Sequence, residues 1–149
     1  MTVMRSLPAC LFMVVLVLAG SWLTFVESAE DPPTAVAPER LAIVWTSGDP
    51  EVAHRMVLMY AHAAKTAGWF DEVTLIVWGP SSRLLAADKD LQGKLKEMQS
   101  DGVVLQACIV CADSYGVTEQ LRGLGLEVKS MGRPLSDLVK DRGPHVLTF

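Results

Sequence analysis

Three apolar runs, each followed by a helix-like stretch, constrain this fold more than any other feature. Residues 41–45 (Leu41, Ala42, Ile43, Val44, Trp45) are apolar throughout, and residues 73–78 and 103–108 nearly so. Such runs belong to strands buried on both faces of a parallel sheet, not to half-exposed strands, which alternate. The stretch after the first run predicts a helix over residues 50–67. Asp49 suits its N-cap, Pro50 its first turn and Glu51 its positive end, and Gly68 stops it. Val52, Met56, Met59, Ala63 and Ala67 lie at helical spacing and are expected to form its buried stripe.

The pattern continues along the chain. Gly79-Pro80 stops the second run, and Ser81 or Ser82 opens a further helical stretch. Residues 88–100 predict a helix with Leu91, Leu95 and Met98 inward, and residues 112–121 another. A short strand over 126–129, a helix over 134–140 and a strand over 145–149 complete the order βαβαβαβαβ. Short connections between alternating elements imply an α/β fold, three-layer α/β/α, with a mainly parallel five-stranded sheet and helices on both faces.

The amino-terminal segment stands apart. Arg5 precedes an apolar run over residues 9–26, and Val26-Glu27-Ser28 offers a cleavage site. Residues 1–28 therefore read as a secretory signal peptide, with an uncleaved membrane anchor as the alternative because the run is long. Residues 29–39, with Pro32, Pro33 and Pro38, read as an extended linker. The domain is expected over residues 40–149, in a periplasmic or secreted protein.

The chain carries a net charge of −4. Removing residues 1–28 takes away Arg5 and Glu27, one charge of each sign, and leaves that value unchanged. Mild acidity gives no electrostatic footprint for nucleic acid or for an anionic membrane. Cys10 leaves with the signal, so the mature chain holds Cys108 and Cys111. Two thiols this close in sequence make no disulfide scaffold, because so short a loop constrains little of the unfolded chain.

Those two cysteines are the principal candidates for chemistry. The strand over 103–108 leads directly into them and a helix leads away, so a Cys-x-x-Cys pair sits at a strand-to-helix junction. Backbone N–H groups and a helix's positive end converge at such junctions and lower a cysteine's pKa. The bland alternative is a small core residue and a buried helix residue. Zinc needs two further ligands, and no second Cys pair or spaced His pair supplies them, so neither metal nor other cofactor is expected.

In parallel sheets ligands bind beyond the carboxyl ends of the strands. Loops 46–50, 78–82, 108–114 and 130–134 share that edge and bring in Thr46, Ser47, Trp78, Ser114 and Arg133 as candidate substrate contacts. Asp113 and Ser114 also fit simple helix capping, and Arg133 a solvated arginine. His54, Met56, Met59 and His62 hint at soft-metal ligation, but the methionines fit the buried stripe and the histidines lie two turns apart. Trp45 and Trp78 close the first two strands. Trp69 and Phe70, if exposed together, mark a subunit interface.

Several of these features together resemble the DsrE/DsrF-like family, which includes TusD-type sulfur-relay subunits and YchN-like proteins. They are Thr46-Ser47-Gly48-Asp49-Pro50, the strand over 73–77 with Gly79, the segment over 102–112 containing Cys108 and Cys111, and Tyr115-Gly116-Val117. The resemblance covers residues 40–149. It implies an α/β/α domain that assembles as trimers or hexamers, and a persulfide relay in which Cys108 accepts sulfane sulfur from a donor protein or small thiol and passes it on. Cys111 stands where several members carry a second cysteine. Two other readings remain open: a non-catalytic oligomeric binding module, and a dithiol–disulfide oxidoreductase using both cysteines.

Overall fold

The structure, a computed structural model, describes residues 38–141 and 143–149. The expected signal segment and all of the expected linker except Pro38 and Glu39 lie outside the described residues. Five strands form one sheet in the order β4-β3-β2-β1-β5: β1 (Arg40–Trp45), β2 (Glu72–Val77), β3 (Val104–Cys108), β4 (Glu127–Lys129) and β5 (Pro144–Thr148). Every neighbouring pair is parallel.

The helical connections are α1 (Pro50–Val52), a π-helical segment over Ala53–Val57 and α2 (Leu58–Thr66), then α3 (Pro80–Ala87) and α4 (Lys89–Ser100), then α5 (Ile109–Ser114) and α6 (Thr118–Gly123), and finally α7 (Gly132–Lys140). Strands β1 to β4 step across the sheet in one direction. The last connection reverses and carries β5 to the far side of β1. Right-handed crossovers keep their helices on one face while the steps share a direction and change face when the direction reverses. The packing follows that rule. Leu41, Ile43, Trp45, Leu75, Val77, Leu105 and Ala107 meet Ala53, Leu58, Leu85, Leu95, Ala112 and Leu121 from the helices before β4. The other face buries Ala42, Val44, Ile76 and Cys108 under Met131, Leu135 and Leu138, the last two from α7. The three expected layers are present, unevenly filled.

Two local expectations need correction. The buried stripe of the first long helix is Ala53, Val57, Leu58, Ala61 and Ala64, while Met56 is 48% and Met59 60% exposed. Both stripes have helical spacing. The small one prevails because alanines let the helix backbone approach the sheet closely. The helix expected over residues 112–121 is two helices. Gly116 breaks it at φ +67, a left-handed conformation that suits glycine. Helix α5 begins at Ile109, earlier than expected, which places Cys111 inside its first turn.

Among the described residues no helix is long and apolar enough to cross a membrane.

Candidate functional site

Cys108 ends β3 and is at the same time the N-cap of α5, with extended backbone (φ −75°, ψ 116°). The residue is 4% exposed and packs in the second-face core. Cys111 is the third helical residue and partly exposed. N-cap and third-residue side chains meet across the first turn of a helix, as in a capping box. The spacing thus brings the two thiols together, and both are free. Cys111 packs against the same cluster as Cys108.

Electrostatics at Cys111 run against the expected activation. Burial pushes its thiol above the ordinary value, and the neighbouring Cys108 pushes the same way. The backbone N–H of Gly79 acts in the opposite sense, by hydrogen-bonding the thiolate. Gly79 holds φ +66 and ψ −134 as the N-cap of α3, a backbone that a side chain would strain.

Topology places this pair at the sheet's switch point. The connection after β3 returns over the first face, and the connection after β4 runs over the second. Adjacent strands whose connections diverge leave a crevice beyond their carboxyl ends. Cys108 and Lys129 are register partners there. Lys129 Nζ donates to Glu127 Oε2 at 2.7 Å, and Gln106 Nε2 donates to the same oxygen at 2.9 Å. Lys129 above all holds the Glu127 carboxyl below its ordinary value. Sequence reasoning assigned residues 126–129 to a strand and missed Lys129 as a neighbour of the site. The signal that finds it is the register of β3 against β4.

The other candidates are distributed unevenly. Trp78 is half-buried against the Cys108 cluster, and its backbone N–H donates to Ser81 Oγ at 3.0 Å. Ser81, fully buried, donates in turn to the Trp45 carbonyl at 2.6 Å and so ties together the ends of β1 and β2. Thr46 donates to the Phe149 carbonyl at 2.6 Å, and Ser47 Oγ accepts from the Asp49 N–H at 3.1 Å. Both serve loop structure. Ser114 Oγ donates to the Cys111 carbonyl at 2.8 Å and closes α5. Asp113 accepts from the Thr118 hydroxyl. Arg133 is paired with Asp137 four residues on, at 2.8 Å, with its side chain mostly in solvent. Trp45 is fully buried on the first face, opposite Cys108.

The histidines stand elsewhere. A groove of about 680 Å³ between α2 and α4 is lined by His54, Met59 and His62 among others, and by neither cysteine. His62 Nε2 lies 2.6 Å from Asp101 Oδ2. His145 stacks edge-on against Phe70, with ring centroids 5.7 Å apart. Trp69 is 53% exposed and lies against Tyr60, whereas Phe70 packs on the core, so these two aromatics do not form one exposed patch. Among the described residues no group of three or more His, Cys, Asp or Glu side chains is arranged to hold a metal.

Fold and site together define a parallel α/β domain with a free thiol pair at its switch point. The profile of the DsrE/DsrF-like family matches residues 39–149, and the chain belongs to that family, which is associated in general with sulfur relay. A solved structure of BT1422, a conserved protein of unknown function from Bacteroides thetaiotaomicron, is 33% identical. The match covers 74% of this chain and 95% of that one, with a TM-score of 0.71. The YchN protein from E. coli shares the fold at 18% identity, over 74% of this chain and 99% of that one, with a TM-score of 0.57. No curated protein sequence matches the chain significantly.

Proposed function

We propose that this protein is a sulfane-sulfur carrier in which Cys108 holds the cargo as a persulfide. A donor persulfide R–S–SH gives up its outer sulfur to the thiol pair and leaves as R–SH. The sulfur rests as Cys108–S–SH until it is handed, through the neighbouring thiol or on opening of the core, to an acceptor thiolate, which takes that sulfur and returns Cys108 to the thiol. Both transfers are redox-neutral and need no cofactor. The observation that carries this reading is the position of Cys108: a free thiol at a strand's carboxyl end, capping a helix and touching a second thiol, in a member of this family.

The partners in this reading are a persulfide donor and a thiol acceptor. The export-signal pattern of residues 1–28 supports a donor and an acceptor outside the cytoplasm. Self-association, as trimer or hexamer, belongs to the same proposal.

The test is sulfur loading followed by a brief wash with a low-molecular-weight thiol. Wild type is expected to keep one wash-resistant sulfur per chain, and Cys108→Ser none. Equal wash-resistant loading in Cys108→Ser contradicts the reading. A Cys108–Cys111 disulfide that turns over on a generic disulfide substrate, without sulfur uptake, identifies a dithiol oxidoreductase instead.

A further inference from the structure

We propose that Cys111 is the port and Cys108 the store of a two-step sulfur relay within this chain. The inference rests on the carrier reading above and assigns the order in which the thiols act. Its basis is the difference in their surroundings. Cys108 is 4% exposed in the second-face core, which it shares with Ile76 and Val44 of the sheet and with Met131 above them, so a donor's sulfur cannot meet it without a rearrangement of that core. Cys111 is partly exposed on the same helical turn, beside Val110, which is 68% exposed. A sulfur atom arriving from outside meets Cys111 first.

Two neighbours of Cys111 bear on that role, against the burial that raises its thiol. Tyr115 lies four residues on, on the same face of α5, and carries Arg83 over its ring at 5.4 Å from the centroid. Arg83 belongs to α3, whose N-cap Gly79 directs its amide at the Cys111 thiolate. Helix α3 thus begins beside this thiol. A thiolate that must form briefly, as nucleophile and then as leaving group, is met there by the Gly79 N–H.

The steps balance. The Cys111 thiolate attacks the outer sulfur of R–S–SH. The donor's sulfur–sulfur bond breaks, R–S⁻ leaves and takes a proton, and Cys111–S–SH forms. The Cys108 thiolate then attacks that same outer sulfur. The Cys111–sulfur bond breaks, and the Cys111 thiolate takes up the proton that Cys108 released. One sulfur has moved inward with no net oxidation or reduction. Attack on the inner sulfur is the competing course: it joins Cys108 to Cys111 as a disulfide and expels hydrosulfide.

The experiment follows sulfur by quenched peptide mapping in the full chain, using persulfidated serum albumin as a bulky donor and inorganic polysulfide as a small one. Wild type is expected to show sulfur on Cys111 first and on Cys108 later. In Cys111→Ser, loading of Cys108 from the albumin donor slows by about tenfold or more, while the small donor is less affected. In Cys108→Ser, sulfur stops at Cys111 and is stripped by a thiol wash. Cys111→Ala serves as the second variant, and thermal unfolding confirms that each is folded. Cys108 loading at the wild-type rate in both Cys111 variants overturns the relay and leaves the carrier reading standing. A disulfide with released sulfide also overturns it. No sulfur on any form overturns both.

Discussion

Cys108 and Lys129 are register partners at the carboxyl ends of β3 and β4, the two strands between which the connecting helices change faces. The sheet brings a buried thiol and a lysine, distant in sequence, to neighbouring strand ends on one face. Lys129 is engaged with Glu127, and Gln106 completes that small polar network on the face where Cys108 packs.

The network has a titration consequence. Glu127 is held below its ordinary value of 4.5 chiefly by the Lys129 hydrogen bond. Lys129→Gln is expected to raise the Glu127 pKa toward that value, as read by NMR titration of its side chain. A depressed carboxyl pKa contributes stability present above the unfolded-state value and lost as pH falls through the folded one. The pair is largely solvated, so the effect on stability is small. An unchanged Glu127 titration in Lys129→Gln contradicts the assignment.

Alkylation should report the environment of Cys111. Its thiol is raised above the ordinary 9.0, mainly by burial. It is therefore mostly protonated at neutral pH, and its reactivity grows as pH rises. Iodoacetamide labelling mapped to Cys111 is expected to climb steadily from pH 6 to pH 9 with no plateau, the interval being roughly that over which an ordinary thiol begins to ionise. A plateau near neutrality contradicts the burial effect.

Gly79 is expected to be intolerant of a side chain. Its φ of +66 with ψ −134 lies where L residues are strained, at a cost of about 1–3 kcal/mol. Gly79→Ala should lower the unfolding midpoint and also disturb Cys111, whose thiolate loses its aligned amide. A midpoint equal to wild type contradicts the strained backbone.

Ser81 holds the strand ends behind the site. Its buried hydroxyl donates to Trp45 and accepts from Trp78. Trp78 N–H also donates to the Trp45 carbonyl at 2.9 Å, so Ser81→Ala removes the buried hydroxyl's bonds without orphaning these groups and is expected to cost about 0.5–1.5 kcal/mol. Denaturant unfolding measures it. A change below about 0.5 kcal/mol, the size typical of surface substitutions, contradicts the account.

Met59 on the first long helix and Met98 on α4, both expected to face inward, separate a stripe that the structure overturns from one that it keeps. Met59 is exposed and Met98 fully buried. Met59→Gln should change stability by less than about 0.5 kcal/mol, and Met98→Ala should cost about 2–5 kcal/mol. Comparable losses contradict the helix orientation.

The parallel sheet was legible because its strands are apolar on both faces, so Leu41 to Trp45 announce themselves without alternation. Leu91, Leu95 and Met98 were legible for a related reason: their stripe has no apolar rival on α4. The first helix offers two stripes of equal spacing, and hydrophobicity alone favours methionine, whereas close helix–sheet approach favours alanine. Gly116 was visible as a residue, but its left-handed φ depends on where α5 begins. The cysteine pair could be read from position. The burial of Cys108 could not, because it depends on α7 crossing to the second face, and that follows from the reversal in strand order. Lys129 needed the register as well.

The most direct test of the carrier claim is mass spectrometry of the wild-type protein, before and after a sulfane-sulfur donor, with and without reductant. The account predicts a gain of one sulfur atom, removed by reductant and mapped after a thiol wash to the peptide containing Cys108. A protein that gains no sulfur, or holds it elsewhere than on these two cysteines, contradicts the account.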